Sequence, residues 1–264
     1  MYEVHRAFPA IVGVARGHHQ TYVPEERNDV GAVEQMVELT GSSSPCSSTG
    51  TFRFSRPPGY TFTPGQYLTL TLDTREGPQT KPFSHCDAPG DPESLILTRM
   101  TGSAFKDALA ALHPGDRVTM SGPFGKLTLP EGVDRAAFLV GGVGITPMRS
   151  IVRDSVQRAT GLTALVFDGN LDESCIPLRE EFDRWQREQP GIGFVHVLER
   201  PGEQWAGERG YVSPEIVLRH CDPADGWHWF VSGPPAMVDA MARVLVAVGV
   251  DAVRTHVESF AGYR

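Results

Sequence analysis

The chain has 264 residues and a formal net charge of −8, with 40% hydrophobic and 21% charged residues. This composition is that of an ordinary globular protein with room for two domains, and the acidic balance disfavours non-specific binding to nucleic acid. No stretch reaches the ~20 apolar residues of a membrane-spanning helix, so we expect no membrane span and a cytoplasmic location. The 4 cysteines are too widely spaced for a CxxC-type metal or cluster motif, which predicts reduced thiols and no metal site.

The first part of the chain has the pattern of short strands. Residues 1–30 show no clear period, which predicts an irregular N-terminal extension. Residues 31–131 alternate apolar and polar positions between Gly and Pro turns, a pattern typical of a small antiparallel barrel. Ser42–Pro45 is interpreted as a polar hairpin loop. The predicted strands are Val33–Leu39, Phe52–Phe54, Tyr67–Leu72, Ser94–Arg99 and Val118–Leu129, the last of them broken by Gly122–Gly125.

One helix is predicted inside this β region, with Ser103 as its N-cap and apolar residues at helical spacing from Phe105 to Leu112. From residue 132 to residue 264 strands and helices alternate, which predicts a doubly wound parallel α/β domain. Its predicted elements are strand Ala137–Val140, helix Met148–Arg158, strand Leu162–Phe167, helix Leu178–Arg187, strand Gly193–Leu198, helix Pro214–Leu218, strand His228–Val231, helix Pro235–Val248 and strand Ala252–Glu258.

A glycine-rich turn follows the first strand of the α/β region. The strand leads into Gly141, Gly142, Val143 and Gly144, and a helical pattern starts near Pro147. Glycines allow a pyrophosphate to approach the backbone, and a helix N-terminus supplies unpaired N–H donors. The turn is therefore a candidate phosphate site, with close packing as the alternative interpretation.

Two further clusters lie in the β region. Lys81-Pro82-Phe83-Ser84 places a cation, an aromatic ring and a hydroxyl within four positions, which suits a flat, phosphate-bearing ligand. Gly102-Ser103-Ala104-Phe105-Lys106 opens the predicted helix with a glycine turn, where an anion is favoured. The alternatives are an ordinary strand with one core phenylalanine and a capped helix without a ligand.

The order of these motifs along the chain resembles the ferredoxin–NADP reductase superfamily over about residues 32–264. The motifs, in order, are Pro64-Gly65-Gln66-Tyr67, Lys81–Ser84, Gly102–Lys106, Gly115-Asp116 with Gly122–Gly125, Gly141–Pro147, Ser232–Met237 and Phe260–Tyr263. The resemblance implies a six-stranded antiparallel flavin-binding β-barrel followed by a nicotinamide-dinucleotide domain, with no fused iron–sulfur module. FAD is the expected flavin, with FMN as the less favoured choice.

The same resemblance assigns roles to individual residues. Lys81, Pro82, Phe83 and Ser84 would form the flavin motif, with Ser84 near flavin N5. The flavin pyrophosphate would lie on Gly102, Ser103 and Ala104. Residues expected at the nicotinamide nucleotide are Gly141, Gly142, Val143, Gly144, Thr146, Pro147, Gly233, Pro234 and Met237. Phe260 or Tyr263 would lie close to the flavin or to the nicotinamide pocket. The implied catalytic residues are Ser84, Thr146, Ser232 and Tyr263.

Three positions depart from the family pattern. Lys81 stands for the usual arginine and keeps the charge without the bidentate geometry. Phe83 stands for the usual tyrosine and lacks its hydroxyl. Ser232 stands for a frequent cysteine, so a role that needs a thiol is not expected, although its hydroxyl could order the nicotinamide.

The residues after the second strand of the α/β domain bear on the choice of coenzyme. Relatives selective for NADPH often carry Arg or Lys at this place. Here the chain has carboxylates and an amide instead, from Asp168, Asn170, Asp172 and Glu173. Carboxylates repel a 2′-phosphate and accept hydrogen bonds from a ribose hydroxyl, which predicts a preference for NADH.

The sequence therefore predicts a flavin-dependent NAD(P)H oxidoreductase. Hydride would pass from nicotinamide to FAD, and electrons would then reach a separate acceptor such as a ferredoxin, a flavodoxin or an oxygenase component. Two alternatives stay open: a reductase of free flavin or ferric chelates, and a flavin-binding subunit without turnover. The sequence does not indicate an oligomeric state.

Overall fold

The computed structural model describes residues 33–46 and 48–260. The predicted extension over residues 1–30 and the candidate residue Tyr263 lie outside this described part. The described chain forms two six-stranded sheets, the first antiparallel and the second parallel. This is the predicted fold class, with the first sheet curled into a half-barrel.

The first sheet has the strand order β4-β3-β6-β1-β2-β5. Its inward-facing Leu, Phe and Val side chains form one core, and Phe105 and Leu109 of helix α1 (Ala104–Ala110) complete that core. Ser103 caps α1 as predicted, since its side chain accepts a hydrogen bond from the backbone N–H of Lys106. The strands are β1 Val33–Cys46, β2 Thr49–Ser55, β3 Tyr67–Thr74, β4 Gly77–Ser84, β5 Glu93–Arg99 and β6 Arg117–Phe124.

Two predictions in this region are wrong. Ser42–Pro45 is not a hairpin loop, because β1 continues through it and the Ser43 and Thr51 hydroxyls hydrogen-bond across the ladder at 2.6 Å. The strand predicted over Val118–Leu129 with a break at Gly122–Gly125 instead runs through Gly122 to Phe124 and does not resume, because Gly125 has a φ of +94° and turns the chain. Strand β4 was predicted only as the alternative interpretation of Lys81–Ser84, since half of its residues are exposed and the strand carries no alternating pattern.

The second sheet has the order β10-β9-β8-β7-β11-β12, with helices on both faces. Helices α2 and α3 pack on one face and α4 and α5 on the other, as expected of a doubly wound domain. Its strands are β7 Arg135–Gly141, β8 Thr163–Asn170, β9 Ile192–Leu198, β10 Glu208–Arg209, β11 His228–Gly233 and β12 Thr255–Ser259. Its helices are α2 Ile145–Arg158, α3 Arg179–Glu188, α4 Pro214–His220 and α5 Pro235–Ala247.

Element boundaries in the second sheet differ from the prediction at two functional places. Helix α2 begins at Ile145, directly after a 3₁₀ turn over Gly142–Gly144. The last strand begins at Thr255 because Ala252–Arg254 forms a 3₁₀ turn, whose backbone is capped by Asp251. Within residues 33–46 and 48–260 no helix is both long and apolar enough to cross a membrane.

Candidate functional site

The ends of three strands from the two sheets meet at one place. Ser84 ends β4 of the first sheet, and its Oγ lies 3.5 Å from Oε2 of Glu258 on β12 of the second. Glu258 in turn pairs in register with Ser232 on β11. The fold thus brings the predicted residues Ser84 and Ser232 to the same edge, together with a carboxylate that the sequence reasoning missed.

The Glu258 carboxyl is unlike a surface acid. Burial raises its pKa to about 7, and the contact with Ser84 only partly offsets that shift. A Cβ placed on Gly125 would lie 3.7 Å from Oε1 of Glu258, so the Gly122–Gly125 motif packs against the same group. The available sequence signal was a lone acid in the last predicted strand, two positions before Phe260.

The glycine turn, the segment that follows Ser84 and the C-terminal segment contribute to one small apolar cluster. Cys86 and Val143 are buried in it, and Phe260 packs against them. The Phe260 N–H donates to the Gly233 carbonyl at 2.9 Å, which fixes the chain end beside β11. The structure therefore places Val143, Gly233 and Phe260 together, next to Ser84.

The glycines of the turn serve two different purposes. Gly142 has a φ of +53°, and a Cβ there would meet no atom within 4 Å, so its backbone faces open space. A Cβ on Gly144 would lie 2.2 Å from the Ser232 carbonyl oxygen, so this glycine allows close packing against β11. At Gly141 the nearest side-chain atom is the sulfur of Met237, 3.2 Å from a built Cβ. Of these three, Gly142 is the one a dinucleotide could approach.

The hydroxyls of Thr146 and Ser232 are used inside the turn. Thr146 Oγ1 donates to the Val143 carbonyl at 3.0 Å, and Ser232 Oγ donates to the Gly144 carbonyl at 2.6 Å. Both residues are 2% exposed. The geometry gives them a role in shaping the turn, and their assignment as catalytic residues stays a prediction.

The flavin motif is partly exposed. Lys81 and Pro82 are exposed, whereas the Phe83 ring is 6% exposed and packs on Phe105 in the core of the first sheet. Little of the Phe83 ring is therefore free to stack on a ligand. An aromatic surface that the sequence reasoning did not single out, the Tyr67–Phe124 ring pair with centroids 5.6 Å apart, lies beside Ser84, because Tyr67 is its register partner on β3.

The loop before α1 has the features expected of a phosphate neighbour. Gly102 has a φ of +69° with open space around it, while Ala104 is buried beneath. Two cations, Lys81 and the buried Lys106, lie close enough for their charges to repel each other. Cations, an open glycine and nearby aromatic rings form a donor set that fits a phosphate-bearing flavin.

Polar atoms without partners collect at the ends of β8 and β9. Asp168 is fully buried and contacts Nδ1 of His196 through Oδ2 at 3.1 Å. Asp168 Oδ1, Asn170 Nδ2 and His196 Nε2 have no hydrogen-bond partner in the structure. His196 was not among the predicted residues, since its partner lies 28 positions away. The described residues contain no group of three or more His, Cys, Asp or Glu side chains placed for a metal ion.

Charged residues fix helix α2 to the segment that follows Ser84. Arg149 pairs with Glu181 at 2.7 Å and donates to the Cys86 carbonyl, and the Ser150 hydroxyl donates to the Asp87 carbonyl at 2.6 Å. Burial raises the pKa of the Cys86 thiol to about 12, so this cysteine is not a nucleophile at neutral pH. The α2 contacts hold the glycine turn and the flavin motif in a fixed relation.

The chain joins a curled antiparallel sheet with a cationic motif to a doubly wound domain with a glycine turn. This combination defines the class of FAD-dependent NAD(P)H oxidoreductases. Comparison with known proteins agrees. Residues 138–243 match the model of the family described as oxidoreductase NAD-binding domain.

Relatives agree with that assignment, and a solved structure has the same fold. The chain is 31% identical to ferredoxin–NADP reductase B of Sorangium cellulosum over 220 residues, which cover 78% of this chain and 89% of that protein. It is 34% identical to NADH-cytochrome b5 reductase 1 of Pyricularia oryzae over 179 residues, 66% of this chain but only 57% of that protein's length. The Amycolatopsis cytochrome P450 reductase GcoB has the same fold, with a TM-score of 0.77 at 22% identity, covering 87% of this chain and 70% of that one.

The chain belongs to the ferredoxin–NADP reductase superfamily. The proposed resemblance, the fold class and the flavin-dependent pyridine nucleotide oxidoreductase class are thereby confirmed.

Proposed function

We propose that this protein passes hydride from NADH to FAD at the junction of the two sheets and then delivers electrons to a separate acceptor. The observation that carries the proposal is the meeting of Ser84, Glu258 and the Gly142 turn at one edge of the fold. Bound FAD would supply the hydride acceptor and the single-electron chemistry.

The chain's own residues position the two rings. Lys81 and the Gly102 loop would hold the flavin phosphate, and Ser84 would hydrogen-bond the flavin at its reactive edge. The Gly142 backbone would receive the dinucleotide pyrophosphate, because a side chain is absent there and the space beside its Cα is open. Most of the rate enhancement would come from holding the nicotinamide and flavin rings in contact.

Glu258 would hold a proton beside Ser84. With its pKa near 7, the carboxyl is neutral in about half of the molecules at neutral pH. A neutral carboxyl adds no negative charge where hydride arrives and can donate to the Ser84 hydroxyl. The ionised form would repel the arriving hydride, so we expect the protonated form to be the more active one.

The preference for NADH rests on the end of β8. Asp168 is fully buried and contacts His196, so Asn170 and Asp172 are the groups at this end that a ribose diol could reach. Arg200, whose backbone N–H donates to the Leu171 carbonyl at 2.7 Å, pairs with Glu199 at 3.4 Å. A 2′-phosphate would therefore meet carboxylates and would have to compete with Glu199 for the cation beside this loop.

The direct test is NADH oxidation by the FAD-saturated protein with ferricyanide as a general one-electron acceptor. We expect FAD-dependent turnover that is lost when Ser84 is replaced by a bulky residue, as in Ser84→Leu. Tight FAD binding without any NADH oxidation would support a non-catalytic flavin subunit instead.

The acceptor is tested separately. Turnover with free FMN or ferric citrate is compared with turnover on purified ferredoxins, flavodoxins and cytochrome b5. Preference for a redox protein by about tenfold or more in kcat/KM supports the proposal, a difference of about 1.4 kcal/mol in transition-state binding. Equal or better turnover of free flavin or ferric chelate would assign the protein to that class.

A further inference from the structure

Helix α1 carries a lysine whose surroundings are unusual for a cation. Lys106 is only 8% exposed, and its Nζ donates to Thr98 Oγ1 at 2.5 Å. The same Nζ lies 4.4 Å from the centroid of the Phe83 ring and 5.7 Å from that of Phe105. A core position on a short helix would normally hold an apolar side chain, so the ammonium calls for a specific explanation.

No anion compensates this buried charge in the part of the chain that the structure describes. The adjacent carboxylate, Asp107, is directed away and pairs with Arg75. Lys81 lies close enough for its charge to repel the ammonium. Burial, and secondarily Lys81, lower the pKa of Lys106 to about 7. Two lysines without a carboxylate partner at one place form a site for an external anion.

The rarity of lysine in this chain makes the pair Lys81 and Lys106 more unusual. The chain has 24 lysines and arginines together, yet lysine occurs only at positions 81, 106 and 126. Two of these three converge beside Phe83, at the motif that ends in Ser84. Their convergence is therefore not the consequence of a lysine-rich surface.

We propose that Lys106 is a phosphate ligand, which together with Lys81 neutralises the phosphate of the bound flavin nucleotide. This inference rests on the proposed flavin function and deepens it. A single arginine would bind the phosphate through two hydrogen bonds from one planar guanidinium, which Lys81 cannot do. The second ammonium, that of Lys106, compensates by adding a second positive charge. Bound phosphate also provides the counter-charge that the buried ammonium does not find in the protein.

Binding of three flavins separates this role from simple packing. Dissociation constants of FAD, FMN and riboflavin are measured by fluorescence titration of flavin-free protein, since riboflavin has no phosphate. We expect Lys106→Met to weaken FAD and FMN binding about tenfold or more while riboflavin binding stays within about twofold. Lys106→Arg should retain most of the affinity. The matched control is Lys126→Met, which removes the exposed third lysine and should change none of the constants.

An independent measurement on the unmutated protein guards against misfolding of the variants. With ¹³Cε-labelled lysine the chain gives three lysine signals, and Lys106→Arg identifies one of them. FMN should shift the Lys106 and Lys81 signals, and riboflavin should leave both near their free positions.

Equal weakening of FMN and riboflavin by Lys106→Met, or no weakening of either, would overturn the inference and leave the proposed function intact. A wild-type protein that binds none of the three flavins would overturn both.

Discussion

At the scale of single residues, the contact between Ser84 and Glu258 has the clearest chemical consequence. It joins residues 174 positions apart, and Glu258 is the titratable group of the pair. Because its folded-state pKa is raised, the protonated form is favoured by folding. Its contribution to stability is complete below its ordinary pKa and is lost as the pH rises through about 7.

We predict that flavin reduction by NADH slows as the pH rises through about 7, because Glu258 ionises beside the reacting rings. Glu258→Gln keeps the shape and a neutral group, so this pH-dependent limb should disappear while the rate below pH 6 changes little. Stopped-flow reduction from pH 5.5 to pH 8.5 measures both enzymes. An unchanged limb in the variant would assign the titration to another group.

The coenzyme preference is also decided by single residues. Leu171 directly follows β8 and is 42% exposed, so Leu171→Arg places a cation beside the predicted ribose site. We expect the ratio of kcat/KM for NADPH to that for NADH to rise about fivefold, the worth of one exposed ion pair of ~1 kcal/mol.

The matched control for that change is Leu218→Arg. Leu218 is 58% exposed and lies on α4, and the same charge change there should leave the ratio unaltered. A wild-type enzyme that prefers NADPH in kcat/KM would contradict the assignment of the β8 end.

At the scale of elements, the turn between β7 and α2 combines an open glycine with a packed one. Gly142 faces open space, whereas Gly144 packs against the Ser232 carbonyl. The hydroxyls of Thr146 and Ser232 brace the same turn. Binding and packing are thus carried by different positions two residues apart.

Alanine substitutions at these two positions should therefore have opposite profiles. Gly142→Ala should cost only ~1 kcal/mol of stability, because an alanine is strained in the left-handed backbone conformation. It should raise the dissociation constant for NADH about tenfold, because the methyl group blocks the approach of the dinucleotide. Gly144→Ala should cost ~2 kcal/mol or more, because its Cβ clashes with backbone. Urea unfolding and NADH titration distinguish the two, and a larger stability loss at Gly142 would contradict the account.

Most elements could be predicted from sequence because their apolar patterns are strong, as in the continuous apolar runs of the buried strands β7 and β11. The exposed strand β4 and the serine-rich end of β1 could not, because pairing rather than periodicity defines them. Candidate site residues within short motifs could be proposed from the sequence, whereas Glu258 and His196 have partners distant in sequence. The core position of Phe83 was the alternative interpretation of its motif, and its packing against Phe105 supports that alternative.

At the scale of the whole molecule, hydrogen bonds and an ion pair of helix α2 join the second domain to the segment that follows β4 of the first sheet. Arg149 contacts both Glu181 and the Cys86 carbonyl, and Arg153 joins Asp91 to Glu181. These bonds connect helix α2, which follows the glycine turn, to the segment that follows the flavin motif. We infer that they set the distance between the two halves of the site.

Removing one partner of this network should be costly. We expect Arg149→Met to destabilise the fold by ~3 kcal/mol, because Glu181 and the Cys86 carbonyl lose their buried donor. Arg158→Met on the same helix is the control: its side chain is 69% exposed and pairs only with Asp154, so it should cost ~0.5 kcal/mol at most. Equal melting temperatures of the two variants would show that the network does not join the sheets.

The central claim is that the two sheets form one two-ring site in which nicotinamide reduces flavin directly. Anaerobic mixing of the FAD-loaded protein with NADH, and with NADH deuterated at C4, tests it most directly. We predict loss of flavin absorbance at about 450 nm. The loss should be slower with the deuterated coenzyme, because hydride transfer between the bound rings breaks the bond at C4. Flavin that stays oxidised in the presence of excess NADH would contradict the account.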